Sequence, residues 1–270
     1  VVMPVYKGDE YLSEAVDSIL NQTFSDFEFI IICDDPTNIT RQILDEYKQS
    51  DSRIKVHYQK REGLVKSLNK GCSLAKGEYI ARMDADDISF PERFMKQVSF
   101  IENHPDISVL GTAIEFIDEN GLRTGFFHPS TSPLQVEWNL LFYCDIVHPS
   151  VLIRKECFEK VGLYSEDAVH FEDYELWFRI IDHFKITNIP EILLKLRKHE
   201  NNVSKIQYDK QSEGSIKIVQ ERISIVLKES IPIEIVKIIR RPGYMTNNAY
   251  ILKSGDILYD ERDSCSCSSG

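Results

Sequence analysis

VVMPVYKGDEYLSEAVDSILNQTFSDFEFIIICDD, residues 1–35, is the stretch that decides the fold of this 270-residue chain. Residues 1–6 form a short apolar run of the kind expected of a strand. Apolar residues then recur at helical spacing, at Leu12, Ala15, Val16, Ile19 and Leu20. The Ile-rich run at 27–33 is typical of a strand buried on both faces. The stretch therefore predicts a strand, a helix and a second strand.

The same alternation continues along the chain as far as residue 83. Residues 38–50 return to a helical period, and residues 53–58 alternate like a strand. A third helix is predicted within 63–77, followed by a strand at 78–83. Strands that alternate with helices in this way imply right-handed crossovers and a parallel sheet.

The alternation breaks down after residue 105. Residues 107–127 predict a hairpin that turns at Asn120 and Gly121, and from about residue 205 the pattern is helical and amphipathic. We therefore predict an α/β protein: a mostly parallel sheet flanked by helices, then a mixed half, then C-terminal helices.

Composition and charge exclude several classes of protein. A chain with 42% hydrophobic and 28% charged residues has enough apolar surface for a sizeable core. The net charge of -11 argues against nucleic acid as a partner. No apolar run approaches the ~20 residues of a spanning helix, and residues 1–6 lack a signal-peptide pattern. We expect a cytoplasmic location.

The cysteines do not suggest a disulfide framework. Those embedded in apolar segments, and predicted to be reduced core thiols, are Cys33, Cys72, Cys144 and Cys157. The remaining pair, Cys265 and Cys267, lies in a Ser-rich tail at 259–270 that we predict to be disordered.

Acidic residues gather where predicted strands end. Asp84, Asp86 and Asp87 directly follow the strand at 78–83, and a second acidic pair follows the strand at 27–33. Open α/β sheets bind ligands in the crevice outside the carboxyl ends of their strands. Two carboxylates in a D-x-D turn suit a hard divalent cation such as Mg²⁺ or Mn²⁺. The alternative is a turn that caps the helix predicted after Pro91.

Four segments, in order, resemble family 2 glycosyltransferases of the GT-A fold. They are residues 1–35, GLVKSLNKGCSLAKGEYIARMDADD (63–87), HPSVLIRKECFEKVGLY (148–164) and FEDYELWFRI (171–180). The set covers about residues 1–200, and its order is specific although each segment alone is weak. The resemblance implies a GT-A (Rossmann-like) fold, a nucleotide-sugar donor and an inverting transfer.

The resemblance implies a nucleotide site, usually for UDP. The residues concerned are Pro4, Val5, Tyr6, Asp35, Lys66, Asp84 and Ala85. The first three would line the base and ribose, and Asp35 would accept a hydrogen bond from the uracil imide. The turn here is DDPT (34–37), where DDGS is common in the family. A purely structural turn before Pro36 is the alternative for Asp34 and Asp35.

The resemblance also implies a metal site and a catalytic pair. The implied ligands of Mn²⁺ or Mg²⁺ are Asp86, Asp84 and His199. Asp173 would take the proton of the acceptor hydroxyl, and Glu172 would position the acceptor. His148 and Trp177 would lie at the pocket for the donor sugar and the acceptor.

Structural alternatives stay open for several of these residues. Lys66 can be a solvated helix charge. Glu172 and Asp173 can be acids favoured by the dipole in the first turn of a helix. His148 can belong to a structured turn, and Trp177 can be a core residue.

The resulting expectation is a UDP-sugar-dependent enzyme acting on a glycan or lipid-linked acceptor in surface polysaccharide or lipopolysaccharide synthesis. Peripheral contact with the inner face of a membrane is left open, because a helix near 231–241 is apolar on one side. The expected division is a nucleotide-sugar half at 1–104, an acceptor and catalytic half at 105–204, and a helical extension at 205–258.

Two rival functions stay open. A sugar-1-phosphate nucleotidyltransferase also uses a doubly wound sheet with metal-binding acids, but it should have a Gly-rich basic loop after its first strand. This chain has only Lys7 and Gly8 there. The second rival is a sugar-nucleotide or glycan-binding module that keeps the fold without turnover.

Overall fold

The computed structural model describes most of the chain: residues 1–7, 10–200, 208–240, 251–253 and 256–258. Contacts divide the chain into two units, residues 1–140 with 144–199 and residues 141–143 with 200–270. The first unit contains both sheets that concern the candidate site.

A three-stranded parallel sheet begins the first unit. Its strands are β1 (Val2–Val5), β2 (Phe29–Asp34) and β3 (Ile54–Gln59), and they lie in that order. Val2 pairs with Ile30, and Phe29 pairs with Ile54. Every residue of β1 and β2 is buried, as expected for strands covered on both faces.

Three helices follow these strands in turn. They are α1 (Leu12–Leu20), α2 (Asn38–Ser50) and α3 (Leu64–Leu74). The Thr37 side chain caps α2 by accepting a hydrogen bond of 3.0 Å from the Thr40 backbone N–H. Helix α3 packs its Val65, Leu68 and Cys72 face against β1 and β2. The predicted alternation of strands and helices over residues 1–77 is confirmed.

Gly71 marks the closest approach of α3 to the sheet. A Cβ atom there would clash with Val2 Cγ1 and lie 3.4 Å from Ile32 Cγ1. We expect Gly71→Ala to lower the free energy of unfolding by about 1–3 kcal/mol, because overpacking outweighs the gain in helix propensity. Urea denaturation measures this. Gly125→Ala is the control, since its Cβ would meet Phe116 at an ordinary 3.7 Å. Equal stability of the Gly71 variant and the wild type would contradict the close packing.

A second, mixed sheet of six strands completes the first unit. Its strands are β4 (Tyr79–Ala81), β5 (Ile88–Ser89), β6 (Ile107–Ile117), β7 (Arg123–Phe127), β8 (Leu152–Arg154) and β9 (Lys185–Arg197). Their order is β4-β8-β6-β9-β5, with β7 on β6. Only β6 and β9 are parallel. The β6–β7 hairpin turns at Asn120 and Gly121 as predicted, and Gly121 supplies a φ of 80°.

Strand β4 departs from the predicted parallel order. One parallel bridge, between Val2 and Arg82, links this part of the chain to β1. The main partner of β4 is β8, to which it is antiparallel, with Ile80 opposite Ile153. The strand ends after three residues because the chain enters the acidic turn. The predicted α/β class and its mixed second half are confirmed, and the acids lie where the two sheets meet.

The second sheet is covered by four helices, α4 (Arg93–Asn103), α5 (Pro133–Asn139), α6 (Lys155–Val161) and α7 (Glu172–Ile181). A 3₁₀ turn at His148–Ser150 precedes β8. Helix α7 packs on β9 and contributes Trp177, which has no exposed surface. Among the described cysteines, Cys33, Cys72 and Cys157 are buried and Cys144 is half-buried.

The second unit contains α8 (Tyr208–Leu227), α9 (Ile233–Ile239) and the antiparallel pair β10 (Ile251–Lys253) and β11 (Asp256–Leu258). Helices α8 and α9 pack together and bury Val219 and Val236. Within the described parts of the chain, no helix has the length and apolar character needed to cross a bilayer. The tail predicted to be disordered, 259–270, lies outside the described residues.

Candidate active site

The acidic turn lies between β4 and β5. Asp84, Asp86 and Asp87 each place a carboxylate oxygen within 4.8 Å of the others. Asp84 and Asp86 are partly exposed, whereas Asp87 is 2% exposed. The three side chains therefore form one cluster that is open to solvent on one side.

Each acid of this cluster has a different partner. Asp84 forms an ion pair with Arg82. Asp86 Oδ2 lies 2.9 Å from His199 Nε2. Asp87 Oδ1 accepts a hydrogen bond of 2.9 Å from the backbone N–H of Arg197. The second Asp87 oxygen is buried and has no hydrogen-bond partner among the described residues.

These residues fit a divalent cation. Carboxylate oxygens are the ligands that Mg²⁺ and Mn²⁺ prefer, and here one from each acid is close enough to reach a common ion. A buried carboxylate oxygen without a donor costs free energy, which a cation would recover at Asp87. Asp84, Asp86 and Asp87 could hold the ion, with the His199 ring beside them.

Arg82 is a buried positive charge beside the acids. Its side chain is 6% exposed and pairs with Asp84. Burial raises the pKa of Asp84 to about 6, with the Asp86 and Asp173 carboxylates adding to the rise and Arg82 opposing it. Burial, together with the Asp86 and Asp84 carboxylates, holds the pKa of Asp87 well above its ordinary value. The turn is thus short of positive charge even with Arg82 present.

The second group of acids opens α7. Glu172 is buried, and within the described parts of the chain its Oε2 has no hydrogen-bond partner. Burial and the Asp173 carboxylate raise the pKa of Glu172 to about 7. Burial also raises the pKa of Asp173, although its Oδ1 accepts a hydrogen bond of 2.7 Å from the Tyr174 backbone N–H. Acids whose pKa values are raised by burial are candidates for acid–base roles.

The Glu172 pKa makes stability depend on pH. A carboxyl whose pKa is raised by folding contributes stability that is complete below its ordinary pKa and is lost as the pH rises through its native value. For Glu172 the window runs from 4.5 to about 7. We expect the metal-free protein to lose stability as the pH rises through this window. Glu172→Gln should make that slope shallower, with the other buried acids accounting for the rest, and should be more stable than the wild type at pH 8 by about 1–3 kcal/mol.

Urea denaturation at a series of pH values, without divalent cations, measures this slope. Glu159→Gln on α6 is the matched control, because Glu159 is exposed and lies in another helix. If Glu172→Gln keeps the wild-type slope, the buried carboxyl is not the group that titrates.

The start of the chain places its predicted residues at the end of β1. Pro4 and Val5 are buried in the strand. Tyr6 follows it and is 42% exposed, with the Arg61 guanidinium 4.7 Å from its ring centre and Lys7 Nζ 5.2 Å away. An exposed ring at a strand end is free to stack on a flat ligand.

The two acids after β2 differ in their environments. Asp34 is buried, and its oxygens accept hydrogen bonds of 2.8 and 2.9 Å from the backbone N–H groups of Glu62 and Gly63. Asp34 therefore fixes the loop that leads into α3. Asp35 is exposed and has a φ of 54°, a left-handed conformation uncommon for a residue other than Gly. Its carboxylate is the one that a ligand could reach.

The other predicted residues are less closely grouped. Lys66 is exposed, with its Nζ 3.9 Å from Glu166 Oε2. Ala85 is half-buried between the first two acids of the turn. His148 is buried, its Nε2 lies 2.9 Å from the Tyr164 hydroxyl, and its ring meets the edge of Trp177 at 5.9 Å. Trp177 thus touches His148 from within the core.

Sequence analysis missed residues that support the acids. Arg82 is a charged residue within the mostly apolar run predicted as a strand at 78–83. A charge that is buried in a strand needs an oppositely charged partner, so this residue could have been recognised from the sequence. Arg197 donates from Nε to the Asp86 carbonyl at 3.0 Å and pairs with Glu14. The ring of Tyr11 stacks on His199 at 5.6 Å. No local pattern distinguishes Tyr11 or Glu14 from other first-turn residues of a helix.

Solved structures share this fold, and one of them is a mannosyltransferase. Staphylococcus aureus TarS residues 1–349 in complex with UDP-GlcNAc has a TM-score of 0.67 at 18% identity, covering 89% of this chain and 69% of that one. A mannosyltransferase from Pyrobaculum calidifontis, in complex with GDP-Man and Mn²⁺, has a TM-score of 0.61 at 13% identity, covering 88% and 66%. At such identities the likeness concerns the fold, and it confirms the predicted GT-A architecture.

The chain belongs to glycosyl transferase family 2, which it matches over residues 1–162. An uncharacterised glycosyltransferase of Methanocaldococcus jannaschii is 38% identical over 218 residues, or 78% of this chain and 74% of the relative. WbnJ of Escherichia coli, an O-antigen biosynthesis glycosyltransferase, is 35% identical over 212 residues, or 76% and 81%. The predicted enzyme class, a glycosyltransferase, is confirmed.

Proposed function

We propose that this enzyme transfers a sugar from a UDP-sugar to a hydroxyl of a glycan or lipid-linked acceptor, with inversion at the anomeric carbon and assistance from Mn²⁺ or Mg²⁺. The observation that supports this most strongly is the pairing of two acid groups. Asp84, Asp86 and Asp87 form a cation-sized cluster, and the Asp173 charge at the start of α7 is near enough to raise the pKa of Asp84.

The donor nucleotide would bind at the carboxyl end of the parallel sheet. Tyr6 offers an exposed ring at the end of β1, and Asp35 offers an exposed carboxylate at the end of β2. Pro4 and Val5 would form the floor beneath the base and ribose, with Asp84 and Ala85 at the ribose and Lys66 at the rim. The UDP-GlcNAc in the TarS structure supports UDP as the nucleotide, whereas the mannosyltransferase contains GDP-Man.

Asp86 and Asp84, with His199, would hold the cation. A bound divalent ion would supply positive charge to the departing diphosphate. The buried guanidinium groups beside the turn, Arg82 and Arg197, already pair with Asp84 and Glu14, so a bound cation would add the positive charge that the diphosphate needs. The Mn²⁺ in the mannosyltransferase structure supports this choice of cofactor.

The transfer would be a direct displacement in which the protein moves one proton. The acceptor oxygen forms a bond to the anomeric carbon while the bond from that carbon to the diphosphate oxygen breaks, and its electron pair leaves with UDP. Asp173 takes the acceptor proton. Glu172, whose pKa is raised to about 7 by burial and the Asp173 carboxylate, would hydrogen-bond the acceptor. His148 and Trp177 would support the sugar pocket from below.

The biological setting is proposed from relatives. WbnJ acts in O-antigen biosynthesis, which supports surface polysaccharide or lipopolysaccharide assembly as the process. We place the nucleotide half at 1–104, the acceptor half at 105–204 and a helical extension at 205–258, and we propose action at the cytoplasmic face of a membrane with peripheral contact.

The test is a donor screen followed by product stereochemistry. UDP-sugars and GDP-sugars are incubated with the full chain and Mn²⁺, nucleotide release is measured, and the anomeric configuration of the first product is determined by NMR. We expect release from a UDP-sugar and an inverted product. Retained configuration, or release from GDP-sugars alone, would contradict the proposal. UDP binding without any turnover would favour a binding module.

A further inference from the structure

A cluster of rings and charges at the start of α1 adjoins the acidic turn. We call Tyr11, Glu14, Arg197 and His199 the α1 brace. The ring centres of Tyr11 and His199 are 5.6 Å apart with an angle of 30° between the planes. The Arg197 guanidinium lies 4.3 Å from the centre of the Tyr11 ring and also pairs with Glu14. The Tyr11 ring therefore contacts the side chains of both His199 and Arg197.

The same two side chains hold the acidic turn. His199 Nε2 lies 2.9 Å from Asp86 Oδ2. Arg197 donates from Nε to the Asp86 carbonyl at 3.0 Å and from its backbone N–H to Asp87 Oδ1 at 2.9 Å. These hydrogen bonds fix the position of Arg197, which is the last residue of β9. His199 lies two residues beyond the end of that strand. The Tyr11 ring packs against the face of the His199 ring, at 5.6 Å between ring centres.

We propose that Tyr11 is a positioning residue that orients His199 for a cation bound at Asp86, an inference that rests on the proposed metal-assisted function. A metal-site histidine binds best when its ring is already held in place, since ordering a free side chain costs conformational entropy. Stacking on the Tyr11 ring restricts the orientation of the His199 ring. The contact with His199 is made by the Tyr11 ring, so the inference does not depend on the Tyr11 hydroxyl.

The test measures Mn²⁺ affinity of the full chain saturated with UDP, by titration calorimetry. We expect Tyr11→Leu to weaken Mn²⁺ binding about 3- to 10-fold, the loss of one aromatic contact. Tyr11→Phe, the matched control that keeps the ring, should stay within about twofold of the wild type. In a His199→Ala background, Tyr11→Leu should have no further effect, because Tyr11 acts through His199.

Equal Mn²⁺ affinities for Tyr11→Leu and Tyr11→Phe would overturn the inference. So would a loss that persists in the His199→Ala background, since that would mark a general structural role. Tyr11→Met provides the same comparison if Tyr11→Leu does not fold, with circular dichroism as the check. The wild type is measured first: if it binds UDP but not Mn²⁺, the metal-assisted part of the proposed function fails and this inference fails with it.

Discussion

Asp173→Asn is expected to abolish sugar transfer while leaving donor binding intact. The amide has nearly the shape of the carboxylate but cannot accept the acceptor proton, so the rate should fall by about 10²- to 10⁴-fold. UDP affinity in the presence of Mn²⁺ should stay within a few-fold of the wild type, because Asp173 is not one of the three clustered acids that would hold the cation. Transfer is measured as nucleotide release with acceptor present, beside UDP titration of the same preparation.

The control for this variant is Asp182→Asn, which makes the same chemical change at the other end of α7, where Asp182 follows the last helical residue. It should transfer sugar at the wild-type rate. Wild-type transfer by Asp173→Asn would remove Asp173 from the role of base. The nearest remaining candidate would then be Glu172, whose pKa is raised to about 7.

Asp86→Ala is expected to remove metal-dependent UDP binding from a folded protein. Asp86 is one of the three clustered acids and is the acid that contacts His199. Losing a direct ligand should cost at least as much as losing a supporting residue, so we expect Mn²⁺ affinity to fall by about 100-fold or more. Titration calorimetry with Mn²⁺ and UDP measures the loss, and urea denaturation verifies the fold.

Asp106→Asn is the matched control for the acidic turn, because Asp106 is an exposed acid paired with Lys185 outside the cluster. Its Mn²⁺ and UDP affinities should match those of the wild type. An Asp86→Ala variant that still shows Mn²⁺-dependent UDP binding would mean that another group holds the cation, and Asp87 with its unpartnered oxygen would be the first to examine.

Local patterns were sufficient for the parts of the fold that depend on local contacts. The apolar periods of residues 1–77 predicted β1 through α3, and α2 begins and ends at the residues of its predicted segment, Asn38–Ser50. The strand-end rule predicted one crevice for the acids after β2 and β4, but β4 pairs antiparallel with β8, and the Val2–Arg82 bridge joins this part of the chain to the parallel sheet. Whether the residues have the roles implied by the resemblance awaits the variants above.

Local sequence patterns could not predict contacts between residues that are far apart in the chain. Strand β4 pairs with β8, some 70 residues later in the chain, and a three-residue strand has too few side chains to specify its partner. The choice between Asp34 and Asp35 also depended on tertiary structure, since only the fold shows that Asp34 is used by the Glu62 and Gly63 backbone. Tyr11 meets His199 across almost the whole of the first unit's sequence.

The most direct test of the central claim is calorimetric titration of the full chain with UDP, with and without Mn²⁺, beside GDP and CDP. The claim is that the acids after β4 hold a cation and that the cation holds the diphosphate of UDP. It predicts UDP-selective binding that strengthens when Mn²⁺ is present. UDP binding of equal strength without the metal, or no nucleotide binding by a folded protein, would contradict it.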